Sequence, residues 1–333
     1  MDPLIPFSDE QARALVNLEQ RYQVWIEAER ALADLPYDLR RKTVSDHDYL
    51  YEITGRDGNG RSLGAWSDEN EQRFNAYREQ KAAAKTRIQS SRQALDESGR
   101  LCRALRLPAL ANAAGPILRE ADRRRLLGRR LLVVGTNAMA AFSVEAGGFI
   151  REAPEETDDF DLAWTSQDRE PEEPSVWRML KAVDPTFTVN TERPFQARNA
   201  KAYEVELLVA PSRAATLSRT DQPRPIPLPE QEWLLHGRQV DRVVTCRDGS
   251  PARIVAPDPR WFALQKLWMS AQAKRNPLKR GKDLKQGLAL LNVVSVAMPQ
   301  YPLDDAFQAS LPAELEQHYA QWETQRPAPS RRW

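Results

Sequence analysis

Residues 157–164 read TDDFDLAW, and the alternation of acid and apolar residue from Asp159 to Leu162 decides how the middle of the chain folds. A period of two is a strand's period, so Asp159 and Asp161 emerge on one face while Phe160 and Leu162 enter the opposite layer. Two carboxylates a few ångströms apart repel unless a cation lies between them. A hard divalent ion such as magnesium relieves that repulsion and takes oxygen ligands. An acidic turn on a sheet edge is the plainer alternative, and a calcium loop of the EF-hand type fits poorly, because its central glycine and distal glutamate are absent.

Working outward, LLVVG at 131–135 is a short apolar run ending in glycine, which predicts a buried strand delivering a tight turn. NAMAAFSVEAG then reads as a short helix that either Thr136 or Asn137 could cap. A helical SVWRMLKAV follows the acidic strand, and YEVELLV at 203–209 is a third strand, in which Glu204 and Glu206 alternate with Val205 and Leu207. Either glutamate could bring a further carboxylate to the same ion. The order strand, turn, helix, strand, helix, strand predicts a mixed α/β sheet. Gly135 allows phosphate oxygens close to the backbone, Thr136 offers a hydroxyl, and a helix starting there directs free N–H groups at an anion. Two metal ions held by three carboxylates would clamp an in-line phosphoryl or nucleotidyl transfer.

Residues 9–35 carry Leu15, Leu18, Tyr22, Trp25, Ile26 and Leu32 at helical intervals, with Ser8 as the expected N-cap and Pro36 beyond the end. Tyr49, Tyr51 and Ile53 alternate before a glycine-rich turn and a run from Arg61 to Trp66, which predicts a β-hairpin. Residues 68–127 return to charged helix, broken at Pro108 and at Gly115-Pro116 and ending in the basic DRRRLLGRR. A proline-rich loop, SRTDQPRPIPLPEQE, precedes the last helices. The expected division is an N-terminal helix and hairpin module at 1–127, an α/β core at 128–256, a C-terminal helical region at 257–323 and a frayed tail at 324–333.

The 333 residues carry 48 basic and 47 acidic side chains, a net charge of +1, so a chain-wide basic coat for nucleic acid is excluded and any electropositive site is local. Hydrophobic residues make up 41%, enough for a sizeable interior. Cys102 and Cys246 have no partner spacing, which fits packing residues in a reducing compartment. The N-terminus shows no basic region followed by a long apolar run, and no apolar run reaches the roughly 18 residues of a membrane span. The expectation is a soluble, cytoplasmic protein. Its oligomeric state is not legible.

VVGTNAMAAF, then TDDFDLAW, then VELLV resembles the pattern of the DNA polymerase beta-type nucleotidyltransferase superfamily. More narrowly, YLYEITGRDGNGRSLG, VGTNAMAAF, TDDFDL, ARNAKAYEVELL and PDPRWFALQKLW resemble, in this order, a bacterial group of uncharacterised nucleotidyltransferase-domain proteins. The resemblance implies a nucleotidyltransferase-like mixed sheet of α/β (α+β) class with flanking helices. It gives Gly135 and Thr136 the triphosphate-loop role and makes Asp159 and Asp161 metal ligands. It selects Glu206 over Glu204 as third carboxylate and catalytic group, because Glu206 precedes the apolar LLV. Two departures stand out: a glutamate where aspartate is usual, and a wider gap from Gly135 to Asp159, filled by AGGFIREAPEE.

The resemblance also implies metal-dependent transfer of a nucleoside monophosphate from a nucleoside triphosphate (NTP) to an acceptor, with Mg2+ or Mn2+ and release of pyrophosphate. Lys266 and Lys282 are expected at the nucleotide phosphates; Lys279 and Arg280 read as a solvated charged turn, and Asp283 as a partner orienting Lys282. Asn199 is expected near nucleotide or acceptor, a turn-forming role being the alternative. Trp164 and Trp261 are possible base-stacking surfaces, although tryptophans more often pack in cores. An RNA acceptor, such as tRNA modified by a toxin or defence enzyme, fits the basic residues of the N-terminal half and of 119–130. Protein and small-molecule acceptors stay open, as does a catalytically silent nucleotide-binding or interaction module.

Overall fold

The protein, described from a computed structural model, is characterised over residues 2–153, 159–167, 175–217 and 221–326. Thr157 and Asp158, the end of the AGGFIREAPEE segment, the start of the proline-rich loop and most of the expected tail lie outside the described residues. In chain order the strands and helices are β1 (Leu4–Pro6), α1 (Asp9–Ala33), β2 (Asp38–Val44), β3 (His47–Ile53), β4 (Gly60–Ala65), α2 (Asp68–Ala104), β5 (Ala109–Leu110) and α3 (Ala114–Arg123). Next come β6 (Leu131–Val134), α4 (Met139–Glu145), β7 (Gly148–Ile150), β8 (Asp159–Trp164), α5 (Val176–Val183), β9 (Thr188–Val189), β10 (Gln196–Arg198) and β11 (Glu204–Val209). The chain continues through β12 (Ile226–Pro227), β13 (Val240–Cys246), β14 (Pro251–Ala256), α6 (Pro259–Ala271), α7 (Pro277–Ala297), α8 (Asp305–Ala309) and α9 (Ala313–Gln325).

Contacts divide the chain into two compact units, Gln20–Ser98 and the remainder, Met1–Glu19 with Gly99–Trp333. Both boundaries fall inside helices, α1 and α2, so they do not coincide with the boundaries drawn from sequence texture. Helix α1 starts where expected, and its cap is reciprocal: Ser8 Oγ accepts from the Gln11 amide at 3.2 Å while Gln11 Oε1 accepts from the Ser8 amide at 2.9 Å. In the unit Gln20–Ser98 the hairpin gains a third strand, β2, antiparallel to β3. The basic run Arg40, Arg41 and Lys42 hid that strand, since only Leu39 enters the small core with Leu50 and Tyr77.

The larger unit is built on a mixed sheet in the order β6-β8-β11-β10-β9. Strand β8 is antiparallel to β6 and parallel to β11, and β11 is antiparallel to β10. A second sheet, β14-β13-β5, completes the wall of the core, and no acid and apolar alternation in the sequence marks it. Phe142 of α4 packs on Phe262 of α6 with ring centroids 5.0 Å apart. The Gly115-Pro116 pair does not interrupt a helix but lies in the first turn of α3, where a proline loses no hydrogen bond. A Cβ at Gly115 would stand 2.5 Å from Cys246 Sγ, which explains the glycine. Among the described residues no helix is long and apolar enough to cross a membrane.

Candidate active site

Strand β8 places Asp159 and Asp161 on one face, alternating with buried Phe160 and Leu162. Strand β11 does the same with Glu204 and Glu206, which alternate with buried Val205 and Leu207. The parallel register sets Glu204 beside Asp159 and Glu206 beside Asp161. Four carboxylates thus form a two-by-two patch, and β10 resolves which of them is spoken for. Arg198 lies opposite Glu204 and binds it through Nε at 2.6 Å, with a second contact from its terminal nitrogen. Gln196, opposite Glu206, donates to Glu204 Oε2 at 2.8 Å and to Glu206 Oε1 at 3.1 Å. Glu204 therefore has a full cationic partner on its own sheet, while Glu206 faces Asp161 with one amide.

The electrostatics follow from that crowding. Burial pushes the Asp161 carboxyl up to about 6; Glu206 and Asp159 push the same way, and Lys266 and Lys279 oppose them. Burial and the charge of Asp159 also raise Glu206, against Lys279, Gln196 and Arg193. Such a concentration of negative charge is what a bound cation relieves.

The chain turns immediately after β6, whose Val134 pairs with Asp161. Gly135 has φ +68°, and a Cβ there would drive into the Asp161 carboxylate, with Cγ only 2.9 Å away. Glycine thus serves both the left-handed backbone and the close approach of turn and acid. The following turn, Gly135–Ala138, is a 3-10 helix without a side-chain cap, so neither Thr136 nor Asn137 caps the helix as expected. Their side chains are used elsewhere. Asn137 Nδ2 donates to the Asp159 backbone carbonyl at 2.9 Å, tying the turn to the head of β8. Thr136 Oγ1 accepts from Gln286 Nε2 of α7 at 3.3 Å.

Helices α6 and α7 supply the cations. Lys266 is buried and donates to Asp283 Oδ1 at 2.9 Å, and Arg275 holds Oδ2 at 2.8 Å. Asp283 thus orients Lys266 and Arg275, where the sequence pointed to Lys282. Burial and the neighbouring Lys266 lower the Lys282 pKa, with Lys279 adding to the effect and Asp283 and Asp161 opposing it. Lys279 is the residue that sequence reasoning missed: its Nζ lies 3.1 Å from Asp159 Oδ2. Arg280 beside it is spent on the backbone carbonyls of Arg275 and Ala273.

A nucleotidyltransferase family model matches residues 112–312, more than half of the 333-residue chain. The chain belongs to the nucleotidyltransferase family. No curated protein and no solved structure matches it. The stretch matched to the family lies wholly in the larger unit and includes every residue of the acid patch, the glycine turn and the lysine cluster. Within this nucleotidyltransferase domain the structure brings together Gly135, Thr136, Asp159, Asp161, Glu206, Lys266 and Lys282. It sets Asn199 in the turn between β10 and β11: Oδ1 accepts from the Lys201 and Tyr203 amides, each at 3.0 Å, and Nδ2 donates to Asp184 at 3.1 Å. Trp164, buried and bonded to Thr216 Oγ1 at 3.1 Å, and Trp261, buried against His236 and Phe307, are packing residues.

Proposed function

We propose that this nucleotidyltransferase moves a nucleoside monophosphate from an NTP to an acceptor hydroxyl and releases pyrophosphate, with a divalent metal ion. The observation that carries the reading is the alignment of Asp159, Asp161 and Glu206 on adjacent strands, directly under a glycine turn that only glycine can make. The residues fit a hard cation: every donor is a carboxylate oxygen, and burial together with repulsion from the neighbouring acids raises Asp161 and Glu206. Among the described residues the acids are not yet gathered into a ready-made cage of three; Lys279 and Gln196 stand on two of them instead. Asp159, Asp161 and Glu206 would hold Mg2+ or Mn2+, which when bound neutralises charge on the attacking and leaving oxygens.

The chain's own groups divide the remaining work. The Gly135 turn presents backbone N–H groups to the triphosphate, and Thr136, held by Gln286, fixes the turn. Lys266 and Lys282 bring positive charge from α6 and α7 to the phosphates. The acceptor oxygen forms a bond to the α-phosphorus as the bond from that phosphorus to the β-bridging oxygen breaks. Glu206 takes the acceptor proton, and the electron pair leaves with pyrophosphate.

The acceptor is open among RNA, protein and small molecule. Against a broad basic RNA surface at 119–130 stands the use of its arginines inside the protein: Arg123 and Arg124 pair with Glu120, and Arg119 bonds Ser250 and the Pro251 carbonyl. The test is to incubate the protein with each α-labelled NTP, Mg2+ or Mn2+, and total cellular RNA or protein, beside Asp159→Ala/Asp161→Ala. Label transferred by the wild type and lost in the double variant supports the reading. Label that survives the substitution removes the proposed site, and no transfer to any acceptor favours the silent module. Binding to RNA that does not weaken between low and moderate salt removes the RNA version.

A further inference from the structure

The first turn of α7 is electrostatically awkward. It follows the Asn276 cap, carries Lys279 and Arg280, and contains no acid. Helix N-termini already concentrate positive charge on their unsatisfied N–H groups, so a cation there is disfavoured without an anion in front of it. Arg280 escapes by folding back onto backbone carbonyls. Lys279 instead reaches Asp159, 120 positions away in the chain. Its side chain is 49% exposed and extends on a flexible stem, whereas Lys266 is 5% exposed and locked to Asp283. Of these two lysines Lys266 is fixed, and Lys279 is able to exchange partners.

Lys279 acts beyond Asp159, since its charge also bears on Asp161 and Glu206. It therefore supplies part of the neutralisation that a divalent cation would supply, and from the same carboxylate oxygens. The anion with the strongest claim on a cation at this helix end is a triphosphate lying over the neighbouring Gly135 turn.

We propose that Lys279 is a charge latch that sits on Asp159 before substrate arrives and passes to the triphosphate when metal and NTP bind. The latch rests on the nucleotidyltransferase reading and adds regulation to it. Before nucleotide binds, Lys279 competes with the metal for Asp159 and keeps metal affinity low. Once the triphosphate takes Lys279, Asp159 is released to the metal. Metal and nucleotide thus tighten one another, and by linkage the coupling is equal in both directions.

The experiment measures Mn2+ binding to the full chain by electron paramagnetic resonance, alone and with non-hydrolysable α,β-methylene analogues of the four NTPs. Wild type is compared with Lys279→Met, Lys279→Arg, Asp161→Asn and, as a control for lost charge, the exposed Lys285→Met. The latch predicts that K279M binds Mn2+ alone about three- to fivefold more tightly than wild type, while K279R and K285M do not change. It also predicts that an analogue tightens Mn2+ in wild type and K279R and tightens it less in K279M. Equal Mn2+ affinity in K279M and wild type, or a gain in K285M matching that in K279M, overturns the latch. Loss of Mn2+ binding in D161N with no gain in K279M leaves the nucleotidyltransferase reading standing and removes only the latch. Mn2+ binding that D161N does not weaken removes both.

Discussion

At Gly135 backbone conformation and the packing against Asp161 impose the same residue. Alanine there meets a positive φ and the Asp161 carboxylate together. Gly135→Ala is expected to cost about 1–3 kcal/mol in urea unfolding and to abolish nucleotide transfer. Because part of the cost is a collision with the Asp161 side chain, the penalty should shrink in an Asp161→Ala background, which a double-mutant cycle reads directly. The two cysteines allow a second prediction at this scale. Burial pushes the Cys102 thiol up to about 11 and raises Cys246 as well. Neither should react with a thiol reagent at pH 8 in the folded protein, and both should react in urea. Gly135, Asp159 and Asp161 were legible because a strand's period and a glycine after an apolar run are local signals. Lys279 was not, because its partner is distant in sequence and only the packing of α7 brings the two together.

Between helices α6 and α7 the approach is close. A Cβ on Gly287 would stand 2.7 Å from Leu267 Cδ2 and 2.8 Å from the Ala263 carbonyl, so the two helices meet at a position with room for hydrogen alone. Gly287→Ala must push them apart and is expected to destabilise by about 1–3 kcal/mol, seen as a lower urea midpoint at unchanged slope. Lys266→Met in the same helix pair removes one of the two ion pairs of buried Asp283 and leaves the one with Arg275. It should cost about 3 kcal/mol, toward the low end for breaking a buried pair, because Arg275 remains. Helices α1, α2 and α4 to α7, the β3–β4 hairpin and the strands β6, β8 and β11 were readable from local pattern. Strands β2, β13 and β14 were not: β2 buries little beyond Leu39, and Val243, Val244 and Thr245 are buried in succession, which blurs the alternation of β13.

For the whole molecule, sequence texture divided the chain at 127 and 256, where composition changes from charged helix to apolar strand and back. Contacts group α3, the β13–β14 hairpin and helices α6 to α9 with the central sheet, since each buries its apolar side in one continuous core. That grouping depends on which faces meet, and a single sequence does not carry it. Global stability is expected to report the C-terminal end of this core through His318 on α9. Burial lowers the His318 pKa below the ordinary 6.5, and Nε2 has no hydrogen-bond partner among the described residues. The folded protein therefore holds the imidazole neutral more strongly than the unfolded chain does. Above pH 6.5 both states are neutral there and His318 adds no pH dependence. As pH falls through 6.5 the unfolded chain takes up the proton first, so stability declines until the folded-state value is passed. His318→Phe, which fills the site without a titratable group, should leave a shallower fall in urea midpoint between pH 7 and pH 5 than wild type. An identical fall in both proteins would show that His318 contributes nothing to the acid sensitivity of the fold.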